Sequence, residues 1–206
     1  MKGIFVDTET GGLTPATDAL CSVAVVSFDL SLPIDECLIS WDQELICVPM
    51  DSKLSVHPKA LAVQGLTRER LVSDFGRLPE RAAIENIAVY LYRQPKQFSS
   101  NVWAWNAPFD AGFLGEALTR SAASCDPLDA RSMLCARQFA MCSCAAGQLP
   151  GPISLRRGVP QRLTSLSAWA QFYGMQQPEP HDALADAQLG AKVLWHLVRA
   201  MEGVKG

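Results

Sequence analysis

An α/β fold is what this sequence predicts, and three observations carry it. Runs rich in β-branched and aromatic residues, Ile4-Phe5-Val6, Leu20 to Phe28, Cys37 to Val48 and Asn101 to Trp105, suit buried strands. Between and after them lie segments whose apolar residues recur at helical spacing and stop at Gly or Pro. The chain has 206 residues, 49% hydrophobic and 19% charged, enough to bury a sizeable core in a single domain expected to span 1–206.

The first strand runs into Asp7-Thr8-Glu9-Thr10-Gly11-Gly12-Leu13. Strand side chains alternate, so Asp7 and Glu9 point to one side and Thr8 to the other. Two carboxylates held that close repel, and cations or protons relieve the repulsion; a solvated pair at a strand end is the alternative. Leu20 to Phe28 and Cys37 to Val48 follow at short intervals, as in an antiparallel meander. Pro58 then opens a short helix that stops at Gly65, Thr67 caps a second through Arg70, and His57 before them reads as a turn residue. Pro79 starts a helix whose Ala82, Ala83, Ile87, Ala88 and Leu91 form one apolar face ending near Pro95.

The strand Asn101 to Trp105 leads directly into a helix with Pro108 in its first turn, running to about Arg120. Asp110 stands near that helix's N-terminus, where the macrodipole by itself favours a negative charge. Pro127-Leu128-Asp129 reads as a further strand end before a helix carrying Met133, Leu134 and Phe139, and Gly147 to Gln161 as an irregular loop. Leu166, Trp169, Ala170, Phe172 and Tyr173 form a helix closed by Gly174, with the aromatics in the core. The last helix is expected from about His181 to Met201, with Ala183, Leu184, Ala187, Leu189, Gly190, Ala191 and Leu194 facing inward. His181 and Asp186 are about one and a half turns apart, so they flank one site if His181 lies in a loose first turn or the loop before it.

The net charge of -3 excludes a broadly basic surface, but the charge is uneven. Between Ala130 and Pro178 there is no Asp or Glu, while Arg131, Arg137, Arg156, Arg157 and Arg162 fall inside. A basic segment beside carboxylates suits an enzyme that steers phosphates with one part and holds metals with the other; a solvated loop is the alternative. Seven Cys, scattered through strand and helix segments, read as reduced thiols. Cys135, Cys142 and Cys144 lack a fourth nearby ligand at zinc-finger spacing. No signal peptide or membrane-spanning stretch is legible, so a cytoplasmic protein without membrane partners is expected.

Asp7-x-Glu9, Asn106-x-x-x-Asp110 and His181-x-x-x-x-Asp186 together resemble the three exonuclease motifs of the DnaQ-like DEDDh family of 3′ to 5′ exonucleases, over residues 4 to about 198. The DEDDy group would carry Tyr one position after His181, where this chain has Asp182. The resemblance implies a ribonuclease-H-like fold, a five-stranded mixed β-sheet flanked by α-helices. It implies two divalent ions, Mg²⁺ or Mn²⁺, on Asp7, Glu9, Asp110 and Asp186, with His181 as general base. An imidazole with a reference pKa of about 6.5 can accept a water proton at neutral pH. By the same resemblance Thr10, Gly12 and Leu13 contact the terminal nucleotide, Leu13 as a wedge against its base, and Asn106 and Phe109 contact the scissile nucleotide. The chain departs from many relatives at Trp105 and at Gln64, where they carry His.

The implied activity is phosphodiester hydrolysis at the 3′ end of nucleic acid, single-stranded or frayed and DNA in the first instance, releasing nucleoside 5′-monophosphates. An exoribonuclease trimming RNA ends is the alternative within the same chemistry, because no residue identifies a contact to the 2′-hydroxyl. A non-catalytic nucleic-acid-binding domain is the alternative outside it, but it would have little reason to keep all five groups. The sequence leaves the oligomeric state open, a homodimer included.

Overall fold

The computed structural model describes residues 1–73, 76–99, 101–121, 133–156, 159–176 and 181–203. The expected strand end at Pro127-Leu128-Asp129 lies outside them, as does Arg157. In chain order the elements are β1 (Lys2–Thr10), β2 (Leu20–Asp29), β3 (Leu38–Cys47), α1 (Pro58–Val63), α2 (Arg68–Ser73), β4 (Leu78–Pro79), α3 (Glu80–Arg93) and α4 (Lys96–Ser99). They continue as β5 (Val102–Ala104), α5 (Ala107–Ser121), β6 (Leu134–Cys135), α6 (Ala136–Ala145), β7 (Ile153–Arg156), β8 (Val159–Arg162), α7 (Leu166–Phe172) and α8 (Ala183–Gly203).

The main sheet is mixed, in the order β4-β3-β2-β1-β5-β6. The first three strands form the expected antiparallel meander, and β5 lies parallel to β1 through Ile4↔Val102 to Val6↔Ala104. It has six strands where five were expected. The additional edge is β4, only two residues long, which pairs with β3 through Ile46↔Leu78 and Cys47↔Pro79. Pro79 has no N–H to extend the ladder and instead opens α3, so the pairing stops where it begins. Without that edge the order is β3-β2-β1-β5-β6, an arrangement consistent with a ribonuclease-H-like fold.

β1 is the central strand, and its alternation builds two cores. Ile4 and Val6 pack with Ile84 and Ile87 of α3 and Phe113 and Leu114 of α5. Phe5, on the opposite face, packs with Trp169 of α7 and Ala187 and Leu194 of α8. Burial of this kind contributes about 25 cal/mol per Å² of apolar surface.

Two other expectations are corrected. Leu134 belongs to β6, parallel to β5 through Trp103↔Leu134, and the helix begins only at Ala136; a short apolar run does not by itself separate a strand from a helix start. The stretch from Gly147 to Gln161 is not wholly irregular, because β7 and β8 form an antiparallel hairpin with Ile153↔Arg162 and Arg156↔Val159. Ile153, Leu155 and Val159 are exposed there, so no buried face marked the strands in the sequence. No described helix is long and apolar enough to cross a membrane.

Candidate active site

The alternation that splits the two cores continues past Val6 and builds the site. Asp7 and Glu9 follow Phe5 on the α8 side, while Thr8 follows Ile4 and Val6 on the α5 side. Because β5 runs parallel to β1, the helix that follows it starts at the same sheet edge where β1 ends. Asp110, in the first turn of α5, is thereby delivered next to Thr8, whose Oγ1 donates to Asp110 Oδ1 at 2.9 Å. Asp110 is buried, 3% exposed.

From the opposite side α8 supplies Asp186. The helix lies so close to β1 that a Cβ at Gly190 would run into the Phe5 ring, so glycine is what the close approach requires. Asp186 stands one turn earlier on the same buried face and follows it inward. His181 is not in the helix, as the sequence allowed, but in the turn before it, with φ 67°. That left-handed backbone is uncommon outside glycine, with His among the residues that tolerate it. The turn is held by Asp182, whose Oδ1 accepts from the Ala185 N–H at 2.9 Å and whose Oδ2 accepts from Gln43 Nε2 of β3 at 3.3 Å. Glu9, His181 and Asp186 thereby bring ligand atoms within 4.8 Å of one another, a group that could hold a metal ion.

The electrostatics follow from this crowding. Burial, then Asp110, Glu9, Asp186 and Asp182, raises the Asp7 pKa well above the ordinary carboxylate range. Burial and the same neighbours push Glu9 up to about 8. Burial pushes Asp110 up to about 7, although the Thr8 hydroxyl and the backbone N–H of Asp110 pull the other way. Glu9 and Asp110 thus hold protons near neutral pH in the absence of compensating cations, which is the condition that divalent ions would relieve.

All of the expected site residues line one cavity of about 1020 Å³. Asp7, Glu9, Asp110, Asp186 and His181 share it with Thr10, Gly12, Leu13, Asn106 and Phe109. Leu13 is 82% exposed. Thr10 is buried and donates from Oγ1 to the Gly12 carbonyl at 2.7 Å, which shapes the turn under Leu13. Asn106 accepts at Oδ1 from Arg137 Nη2 at 2.7 Å, so this member of the basic segment braces the wall. Phe109 packs on Phe113 with ring centroids 5.0 Å apart. Arg162 donates to the Cys144 carbonyl at 3.2 Å and thereby anchors the β7–β8 hairpin to the end of α6.

The cavity also contains residues that the sequence left aside. Gln64 donates from Nε2 to the Thr10 carbonyl at 2.7 Å, and Trp105 donates from Nε1 to the Thr164 carbonyl at 3.0 Å. Both departures from the family pattern are therefore wall residues with structural partners. Asp18 and His57 line the same wall, and His57 is more than the turn residue expected. No sequence signal pairs them, because they sit on two separate loops.

No protein-family model matches the sequence, and no curated protein does. Solved structures do match. E. coli exonuclease I in complex with a dT13 oligonucleotide is similar at a TM-score of 0.74 and 19% identity, over 96% of this chain and 40% of that one. E. coli exonuclease I in complex with a dA16 oligonucleotide gives 0.74 and 21%, over 98% and 42%. A moderately thermophilic exonuclease I from Methylocaldum szegediense gives 0.75 and 24%, over 96% and 40%. The chain thus spans well under half the length of these exonuclease I chains, and over that span it has their fold.

Proposed function

We propose that this protein is a metal-dependent 3′ to 5′ exonuclease of the DEDDh type, which shortens single-stranded or frayed nucleic-acid ends and releases nucleoside 5′-monophosphates. The observation that carries the reading is the convergence of Asp7, Glu9, Asp110, Asp186 and His181 on one cavity from β1, α5, α8 and the turn before α8. The fold shared with exonuclease I chains solved with dT13 and dA16 oligonucleotides supports it, and favours DNA as the first substrate to try.

The donor set fits hard divalent cations, Mg²⁺ or Mn²⁺, two per site: four carboxylates offer the oxygen ligands such ions prefer. When bound, the ions neutralise these carboxylates and stabilise the charge that develops on the phosphate and the leaving oxygen. His181, exposed at the mouth of the site, accepts the proton of the attacking water as its oxygen bonds to phosphorus and the 3′ oxygen departs. Leu13 and Phe109 offer apolar surface to bases, Thr10 and Gly12 shape the floor beneath the terminal nucleotide, and Asn106, fixed by Arg137, offers its amide N–H₂. The Thr8 hydroxyl keeps Asp110 in position.

The test is a time course on matched 5′-labelled DNA and RNA oligonucleotides with Mg²⁺, Mn²⁺ or EDTA. The expected result is a ladder shortening from the 3′ end, with mononucleotide release, in either metal and none in EDTA. Full turnover in EDTA overturns the metal mechanism, and faster loss of the RNA assigns the activity to RNA ends.

A further inference from the structure

The proposed reaction uses neither Asp18 nor His57, although both line the cavity. Asp18 is 3% exposed, and its carboxylate accepts from the Thr14 N–H at 2.9 Å and the Thr17 hydroxyl at 3.3 Å. His57 Nε2 lies 3.4 Å from Asp18 Oδ1, while the His57 side chain is 60% exposed. Burial acts to raise the Asp18 pKa, but the Thr14 N–H, His57 and Thr17 outweigh it and hold the carboxyl below its ordinary range. The backbone fixes the arrangement: the His57 N–H donates to the Gly11 carbonyl at 2.7 Å, and the Ser55 N–H to the Thr17 carbonyl at 2.8 Å. Gly12 completes it, because a Cβ there would run into both the Asp18 carboxylate and the His57 ring.

A buried carboxylate therefore orients an imidazole on the wall that carries Leu13. Donation from Nε2 to Asp18 leaves Nδ1, which has no hydrogen-bond partner among the described residues, as the free nitrogen of the ring. The other charged groups on this side are Lys59 of α1, in the same cavity, and Arg68 of α2, in the adjoining groove that His57 also lines. Lys59 and Arg68 thus accompany the Asp18–His57 pair, in a cavity that also holds the carboxylates of Asp7, Glu9, Asp110 and Asp186.

We propose that His57, oriented by Asp18, positions the substrate by donating from Nδ1 to a phosphodiester of the bound strand beside the nucleotide held at Leu13. The proposal rests on the nucleic-acid reading above. Neutral His57 presents a lone pair at Nδ1, and only the imidazolium donates there as well as to Asp18.

The experiment measures kcat and KM on matched 5′-labelled DNA and RNA for wild type, His57→Ala and His57→Lys, with equal melting temperatures as the check on folding. Substrates carrying one neutral methylphosphonate at each successive linkage locate the contact. Loss of a hydrogen bond to a charged group raises KM about tenfold in His57→Ala, with kcat within about twofold. Lys restores KM. One methylphosphonate position should weaken wild type equally on DNA and RNA and add nothing in His57→Ala. Unchanged KM, additivity at every linkage, or an effect confined to one sugar type overturns the proposal. If wild type shortens neither strand, the exonuclease reading fails on its own. The contact is then read from oligonucleotide affinity by fluorescence anisotropy in Ca²⁺, where the same tenfold loss supports it and equal affinity overturns it.

Discussion

Thr8 and Asp110, 102 positions apart, meet through a 2.9 Å hydrogen bond that ties the end of β1 to the first turn of α5. Thr8 faces away from Asp7 and Glu9, so on the proposed reading its contribution would be to orient Asp110 as a ligand rather than to be one. Thr8→Val removes the hydroxyl at nearly constant volume and should weaken divalent-ion affinity by about tenfold, the lower end of the usual loss for a ligand's partner. Thr8→Ser should retain most of it. Titration of activity against Mg²⁺ checks both, and a Val variant with the wild-type midpoint would remove Thr8 from the site.

Asp7→Asn and Asp186→Asn should each lower turnover by a thousandfold or more, on the order expected when a metal ligand is lost. They should also make the metal-free protein more stable, because each removes one member of a mutually repelling cluster. Relief of about 1 kcal/mol corresponds to a rise of roughly 2–4 °C in Tm for a chain of this size. Calorimetry in EDTA reads this, and a fall in Tm would mean that packing rather than repulsion dominates at that position.

The raised carboxyl pKa values set a direction for stability against pH. Glu9 and Asp110 keep their protons up to about 8 and about 7 in the folded protein, whereas the unfolded chain releases them near the ordinary carboxyl values of 4.5 and 3.8. Between those limits the folded state binds more protons than the unfolded one, so stability falls as pH rises. In EDTA, Tm should therefore decline steadily from about pH 4.5 to about pH 8 on account of these groups, and added Mg²⁺ should raise Tm more at pH 8 than at pH 5.5. A Mg²⁺ increment independent of pH would refute the assignment.

His181→Asn should lower kcat by about 10² to 10⁴ fold, the usual range for a positioned base, while leaving substrate affinity in Ca²⁺ nearly intact. The low-pH limb of the rate profile should change shape in the variant. Because His181 also lies within ligand distance of Glu9 and Asp186, the Mg²⁺ midpoint separates the two roles. A large shift in that midpoint with a normal saturated kcat would make His181 a ligand.

The places of Asp7, Glu9, Asp110 and Asp186 in one cavity were more legible than the fold around them, and particular residues say why. Asp7 and Glu9 follow an unmistakable strand, Asp110 follows Pro108 at a helix start, and Asp186 lies on a helix with a clear apolar face, so each position was fixed by local rules. The β7–β8 hairpin was missed because Ile153, Leu155 and Val159 bury nothing and leave no alternation to read. β4 was missed because two residues show no period at all. The Asp18–His57 pair was invisible for a different reason: it joins loops whose approach depends on backbone bonds such as Asp18↔Ser55, a tertiary fact with no local signature.

The opposite facing of neighbouring residues along β1 reaches beyond the chemistry. Asp7 and Glu9 hang toward α8 and Asp110 reaches in with α5, so on the proposed reading a cation held among them would act as a clasp through the sheet, fastening the helical layer on one face to that on the other. On that reading neither layer could peel from β1 without expelling the ion, and ligation and folding would draw on the same free energy. Such a protein would open as a whole once loaded, whereas the metal-free chain would lack that fastening between its two layers.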